Sequence, residues 1–236
     1  MKGIVVCVNY DDLLRITLPL NMRHLTECLV VSAPGDKRTA SIVAATPSAN
    51  LYVTDAFYRK GAKFNKGAAL EEGFDALGRD GWILVWDADT ILPESVPMAD
   101  TLDPLKLYGA KRRVLVDPKE YQPKLDLKTL PLSHEAGWPG YFQLFHASRL
   151  RTVRPWYATH SPHAAIGDAY FQNHWPLNEK TYLPIEVLHL GPRDTNWFGR
   201  VSPRLDGGEV QLSAEEMNRL FSEHRWQRRR SPLTWG

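Results

Sequence analysis

The sequence predicts an α/β protein whose mostly parallel central sheet is flanked by helices and whose C-terminal half is irregular. Up to residue 92, apolar segments of strand length alternate with amphipathic segments of helical period. Residues 81–86 are apolar at almost every position, which is typical of a strand buried on both faces of a parallel sheet. Beyond residue 92, prolines recur and the segments become shorter.

The first half is predicted to alternate four strands with three helices. Residues 2–8 form the first strand, and Asp11 or Asp12 caps a helix in which leucines recur at helical spacing and Pro19 introduces a kink. The remaining strands are predicted at 27–32, 51–54 and 81–86, and the remaining helices at 37–45 and 64–77.

The second half contains fewer periodic segments. Strands are predicted near 107–116, 140–145 and 182–188, with one helix over 162–175. Ser213 is expected to cap a last helix, since Glu216 stands at capping-box spacing. No internal repeat or low-complexity linker divides the chain, so a single domain over residues 1–236 is expected.

Composition excludes several classes of protein. The chain has 236 residues, 43% of them hydrophobic and 24% charged, with a net charge of +2, which is typical of a globular protein with a full core. No apolar run approaches the roughly 18 residues that span a bilayer, and the run after Met1 is too short for a signal peptide. We expect a cytoplasmic protein of a bacterium or a phage-infected host. Cys7 and Cys28 lack metal-ligand spacing and are expected to be inert core thiols.

The segment Asp87-Ala88-Asp89 directly follows the buried strand. In an extended segment, alternate side chains point the same way, and parallel sheets bind ligands at the carboxyl ends of their strands. Two carboxylates there suit Mg²⁺ or Mn²⁺, which commonly shares its oxygen ligands between protein and a substrate's phosphates. We expect a divalent metal site rather than an exposed turn.

Two segments carry a resemblance to a known family. Residues 82–89, Trp-Ile-Leu-Val-Trp-Asp-Ala-Asp, resemble the metal-binding strand of GT-A-fold glycosyltransferases. Residues 64–74 resemble the Phe-Asn-Arg-Ala-Lys-Leu-Leu-Asn-x-Gly-Phe segment of β-1,4-galactosyltransferase-like enzymes. The chain as a whole is similar to inverting GT-A enzymes of the β-1,4-galactosyltransferase-like and family 2-like kinds. The resemblance implies that Asn65, Lys66 and Asp87 contact a nucleotide-sugar donor. Lys66 stands where the family has arginine, which keeps a cation but loses the bidentate fork, and Glu71 replaces an asparagine.

Further site residues follow from the same resemblance. His189, after the last core strand, would join Asp87 and Asp89 in holding Mn²⁺ or Mg²⁺. Gly140 would line the donor-sugar site, and Asp168, at the start of the next helix, would deprotonate the acceptor hydroxyl. The helix dipole is expected to keep Asp168 ionised.

The donor's base and ribose are expected beside the first two strands. Tyr10 would stack on the base, Asn9 lies in the same loop, and Asp36 would bond base or ribose. A UDP-sugar is the donor that the resemblance implies. Residues 1–92 would then bind the nucleotide sugar, residues 93–191 would carry the acceptor and catalytic groups, and residues 192–236 would form a loop, a helix and a basic tail.

The resulting function is metal-dependent sugar transfer by a single displacement onto a hydroxyl of a glycan, a small molecule or a modified DNA base. A haloacid-dehalogenase-like phosphatase is an alternative for Asp87-Ala88-Asp89, although that family places the motif on the first strand. Nucleotidyltransferases share a similar sheet but need a glycine-rich loop after strand one, which is absent here. The basic tail, with Arg225, Trp226 and residues 228–230, suggests a third class, a nucleic-acid-binding module that contacts DNA.

Overall fold

The structure is a computed structural model that describes residues 1–97, 99–133, 137–193, 195–208 and 219. In this part of the chain, four α-helices pack around a nine-stranded sheet. The helices are α1 (Asp11–Asn21), α2 (Lys37–Ala44), α3 (Lys66–Leu77) and α4 (Gly167–Gln172). The strands are β1 (Lys2–Val6), β2 (Glu27–Ser32), β3 (Ala49–Val53), β4 (Trp82–Asp87), β5 (Thr90–Ile91), β6 (Leu107–Leu115), β7 (Leu132–Ser133), β8 (Phe142–His146) and β9 (Lys180–Leu190).

The strand order is β3-β2-β1-β4-β8-β6-β9-β5, with β7 paired to β6. Strands β1 to β4 are parallel to one another, as are β6 and β9, whereas β8 runs antiparallel between β4 and β6. The α/β class with a mostly parallel sheet is therefore confirmed. Because β1 and β4 are central, their carboxyl ends meet in the middle of the molecule.

The hydrophobic core lies on both faces of the sheet, as the alternation of side chains along a strand requires. On β1, Ile4 joins the cluster that contains Phe74 of α3, and Val5 joins the cluster beneath α1 and α2. Helix α3 packs closely on β1 and β2 at Gly73, where a Cβ would lie 2.6 Å from Val31 Cγ2.

Three helix starts differ from the sequence-based prediction. Tyr10 occupies the N-cap position of α1, so neither Asp11 nor Asp12 caps it, and both lie buried in the first turn. Helix α3 begins two residues later than expected because the side chain of Asn65 caps it. Helix α4 covers only six residues of the predicted range 162–175.

The helix expected after Ser213 and the basic tail at residues 225–230 lie outside the described residues. Within the described ranges, no helix is both long and apolar enough to cross a membrane.

Candidate functional site

A cleft of about 300 Å³ opens at the carboxyl ends of β1 and β4. The sheet register places Val6 of β1 beside Asp87 of β4, so the loops that follow both strands border the same opening. Seven of the residues predicted from sequence line it: Tyr10, Lys66, Asp87, Asp89, Gly140, Asp168 and His189. These residues come from six separate parts of the chain, and the fold brings them to one place.

Lys66 lies between two carboxylates in this cleft. Its Nζ is 2.6 Å from Asp87 Oδ1 and 3.9 Å from Asp168 Oδ1, while the lysine is buried. Burial disfavours its charge, but Asp168 and Asp87 outweigh burial and hold the pKa of Lys66 above its ordinary value. Lys66 is therefore a permanent cation at the floor of the cleft.

Asp89 and His189 form a second buried pair, with Nδ1 of His189 3.3 Å from Asp89 Oδ1. Strand β5, which sequence patterns did not reveal, produces this pairing because it places Thr90 opposite His189 of β9. Burial opposes both charges, but their mutual attraction raises the pKa of His189 and lowers that of Asp89. The sequence predicted His189 to follow the last core strand, whereas the structure places it within β9.

Asp168, the second residue of α4, lies directly against Gly140 in the lining of the cleft. A Cβ at Gly140 would lie 2.2 Å from Asp168 Oδ1, so the carboxylate occupies the space that any other residue at position 140 would fill. Burial raises the pKa of Asp168 above its ordinary value, Lys66 opposes that shift, and Asp87 adds to it. The expectation based on the helix dipole omitted this burial. A carboxylate with a raised pKa is a stronger proton acceptor.

The donor set fits a divalent cation at Asp89 and His189. Oδ1 of Asp89 and both ring nitrogens of His189 are buried and make no hydrogen bond. Among the described residues, no three His, Cys, Asp or Glu side chains cluster as a metal site, and Asp87 is engaged by Lys66. Two protein ligands completed by substrate phosphates are a common arrangement for such ions. The predicted role of Asp87 as a third ligand stays a prediction.

Three predicted donor-binding residues make structural hydrogen bonds instead of lining this cleft. Asp36 caps α2 through Thr39 N–H and accepts a hydrogen bond from Asn9 N–H. The two residues line a neighbouring shallow depression. Asn65 caps α3 through Ala68 N–H and donates to the carbonyl of Thr159. Tyr10 alone of the predicted base-binding residues faces the cleft.

Two buried arginines tie residues 200–204 to the loop after β1 and to the first turn of α1. Arg200 makes a bidentate ion pair with Asp12, and its guanidinium lies 4.7 Å from the centre of the Tyr10 ring. Arg204 pairs with Asp11 through two 2.8 Å contacts, and both arginines donate to the carbonyl of Asn9. This set of contacts, the arginine clasp, holds residues 195–197 as a wall of the cleft.

Sequence reasoning missed several residues of the cleft and its support. Arg112 lines the cleft with its guanidinium 4.6 Å from the ring centre of Tyr141. Glu71, which departs from the family pattern, is buried and accepts the backbone N–H groups of Trp156 and Tyr157. Hydrophobic periodicity cannot reveal such contacts, because they join residues distant in sequence.

No protein-family model and no curated protein sequence matches the chain. Solved structures do match its fold. A structure of GalNAc-T7 with UDP, GalNAc and Mn²⁺ has a TM-score of 0.54 and 11% identity, over 82% of this chain and 44% of that chain. Mannosyl-3-phosphoglycerate synthase from Rubrobacter xylanophilus has a TM-score of 0.48 and 15% identity, over 82% and 67%. Glucosyl-3-phosphoglycerate synthase from M. tuberculosis has a TM-score of 0.46 and 14% identity, over 82% and 72%.

The chain spans less than half the length of the GalNAc-T7 structure that it matches. Identities this low report a shared fold, and function has to be argued from the site. The position of the Asp-x-Asp segment after the fourth strand differs from the first-strand position that the phosphatase alternative requires. The similarity of this α/β chain to GT-A-fold glycosyltransferases, expected from two short segments, is confirmed as a similarity of fold.

Proposed function

We propose that the chain is a metal-dependent glycosyltransferase that moves a sugar from a nucleoside-diphosphate donor, a UDP-sugar, to an acceptor hydroxyl with inversion. Residues 1–92 would bind the donor, residues 93–191 would supply the catalytic and acceptor side, and residues 192–208 would complete the wall beside Tyr10. One observation carries the proposal: a single cleft joins the pair Asp89–His189, the cation Lys66 and the carboxylate Asp168.

The proposed arrangement separates two tasks across the cleft. Asp89 and His189 would hold Mn²⁺ or Mg²⁺, which when bound supplies positive charge to the leaving diphosphate. Tyr10 would stack on the donor's base, with the Arg200 guanidinium behind its ring. Donor phosphates would therefore lie near the ends of β4 and β9.

Asp168 would act on the opposite side of the sugar. Its carboxylate would accept the acceptor's hydroxyl proton while the acceptor oxygen forms a bond to the anomeric carbon and the nucleoside diphosphate departs. The Asp168 side chain keeps 27% of its surface exposed, so an acceptor hydroxyl could reach the carboxylate from the open side of the cleft.

Ligand-induced thermal stabilisation tests the proposal. UDP at about 100 times its Kd should stabilise the wild type by roughly 2.7 kcal/mol, which is about 5–10 °C for a domain of this size. The stabilisation should need Mn²⁺ or Mg²⁺ and should be lost with EDTA and in the Asp87→Asn/Asp89→Asn variant. Asp117→Asn/Asp126→Asn, which alters two exposed aspartates, is the matched control and should respond as wild type.

Two results would count against the proposal. If no nucleotide stabilises the wild type with either cation, the donor site is refuted. If Asp168→Asn transfers sugar at the wild-type rate, the inverting mechanism with Asp168 as base is wrong.

A further inference from the structure

Lys66 is held in a fixed direction by the start of α3. Asn65 caps this helix and also donates a 2.8 Å hydrogen bond to the carbonyl of Thr159. Gly67, which follows Lys66, lies so close to Ala158 that a Cβ on Gly67 would come within 2.2 Å of the Ala158 carbonyl oxygen. Clamped on both sides, the helix start directs the Lys66 side chain inward, where only 9% of it remains exposed.

The carboxylates of Asp87 and Asp168 both lie near the ammonium of Lys66, and Asp87 is the nearer of the two. The 2.6 Å contact with Asp87 is a charge-assisted hydrogen bond, whereas the 3.9 Å separation from Asp168 is an ion pair without one. In the described part of the chain, Lys66 is the only basic side chain within 4.0 Å of either carboxylate. Asp87 therefore anchors the ammonium, and Asp168 is attracted to it.

Asp168 has few other partners that could hold its carboxylate. Oδ1 is buried and makes no hydrogen bond. The carboxylate lies against the backbone of Gly140, where the absence of a side chain leaves room for it. Among the described residues, the ammonium of Lys66 is therefore the one positive charge within 4.0 Å that can orient this carboxylate.

We propose that Lys66 is a positioning residue for the base of the reaction: anchored on Asp87, its ammonium holds the Asp168 carboxylate toward the acceptor side of the cleft. The inference rests on the proposed function. It assigns Asp87 a role that differs from metal ligation, because Asp87 fixes the ammonium that in turn orients Asp168. The ammonium of Lys66 would thereby connect Asp87, on the donor side of the cleft, to Asp168, on the acceptor side.

The family resemblance implies a phosphate contact for Lys66. That role and the positioning role predict different kinetics for a variant that lacks the lysine. A lysine that mainly binds the diphosphate contributes to nucleotide affinity, so its loss would weaken UDP binding. A lysine that positions Asp168 contributes to the chemical step, so its loss would lower kcat and leave UDP binding nearly unchanged.

The experiment compares Lys66→Met, Lys66→Arg and the control Lys2→Met in the full chain. Lys2 forms ion pairs with Asp80 and Glu27, outside the cleft, and its loss should leave all constants unchanged. UDP affinity is measured by calorimetry with Mn²⁺, and kcat and KM by hydrolysis of UDP-sugars. In hydrolysis a water molecule replaces the acceptor, gives its proton to Asp168 and bonds to the anomeric carbon as UDP leaves with the electrons of the broken bond.

Lys66→Met should lower kcat about 100-fold, the loss typical of a misplaced catalytic group. The Kd of Lys66→Met for UDP should stay within about threefold of the wild-type value. The kcat of Lys66→Arg should be at least tenfold higher than that of Lys66→Met, because arginine restores the positive charge. If Lys66→Met unfolds below the assay temperature, Lys66→Gln, which retains a donor for Asp87, takes its place.

Two outcomes would overturn the inference while the proposed function stands. One is a loss of UDP affinity as large as the loss of kcat/KM, and the other is a kcat that neither substitution changes. Failure of the proposed function gives a different result, because the wild type itself would then neither bind UDP nor hydrolyse any UDP-sugar. In that case the inference about Lys66 would be refuted as well.

Discussion

Adding one methyl group at Gly140 displaces the carboxylate of Asp168, the proposed catalytic base, without altering its chemistry. The Cβ of an alanine there would lie 2.2 Å from Oδ1 of Asp168 and 2.6 Å from both Cγ and Oδ2. Non-bonded atoms settle about 3.5–4.0 Å apart, so the carboxylate has to move by about 1 Å or more. The backbone of Gly140 does not have the positive φ that would itself strain an alanine.

The magnitude follows from this displacement. A misplacement of about 1 Å at a catalytic group costs on the order of 100-fold in rate, equivalent to about 2.7 kcal/mol in the activation free energy. Overpacking a well-filled site lowers the free energy of unfolding by about 1–3 kcal/mol. Gly140→Ala should therefore remain folded while its kcat falls about 100-fold.

The assay is the initial rate of UDP-sugar turnover, with the melting temperature recorded for each protein. Gly167→Ala is the matched control, since its Cβ would meet only Tyr157 Cδ1, at an ordinary 3.5 Å. We expect the control to keep its rate within about threefold. If Gly140→Ala is folded and equally active, the position of Asp168 does not limit catalysis and the reasoning is refuted.

Two further predictions concern stability. Glu71→Ala should lower the free energy of unfolding by about 3–5 kcal/mol in urea titrations, because it removes the buried carboxylate from Arg79 and leaves two buried backbone donors, one of them from Trp156, without their acceptor. Asp75→Ala removes the other, exposed partner of Arg79 and should lower the free energy of unfolding by less than about 1 kcal/mol. If the two variants lose equal amounts of stability, this account is wrong. Burial lowers the pKa of His174 in the folded protein. As the pH falls below about 6.5, the unfolded chain therefore protonates this histidine more readily than the folded chain does, and the free energy of unfolding decreases. His174→Gln should reduce the loss of stability between pH 7.5 and 5.5, and an unchanged pH slope would argue against the assignment.

The first half of the fold could be predicted because its signals are local. The buried strand β4 is apolar at nearly every position, and the two aspartates at and after its end follow the rule that parallel sheets bind ligands at that edge. Strands β1 and β2 and helix α2 also match their predicted positions closely. Periodicity in strands and helices is a property of neighbouring residues, so a single sequence reveals it.

Other features depend on distant partners and left no local signal. Strand β5 has only two residues, too few for any period, yet it places Thr90 opposite His189. Asp11 and Asp12 resemble helix caps in the sequence, and only the fold shows that arginines of a remote segment bind them. Asn65 was predicted to bind a ligand, and its capping role emerges only once the helix start is located.

The arginine clasp has a consequence for how a newly made chain becomes active. Asp12 and Arg200 are 188 residues apart in sequence, and Asp11 and Arg204 are 193 apart. Because a nascent chain emerges from its N-terminus, α1 leaves the ribosome long before the two arginines that neutralise its buried aspartates. The wall beside Tyr10 is therefore among the last parts of the cleft to assemble. Any ligand that requires this wall will bind only chains whose synthesis has passed residue 204.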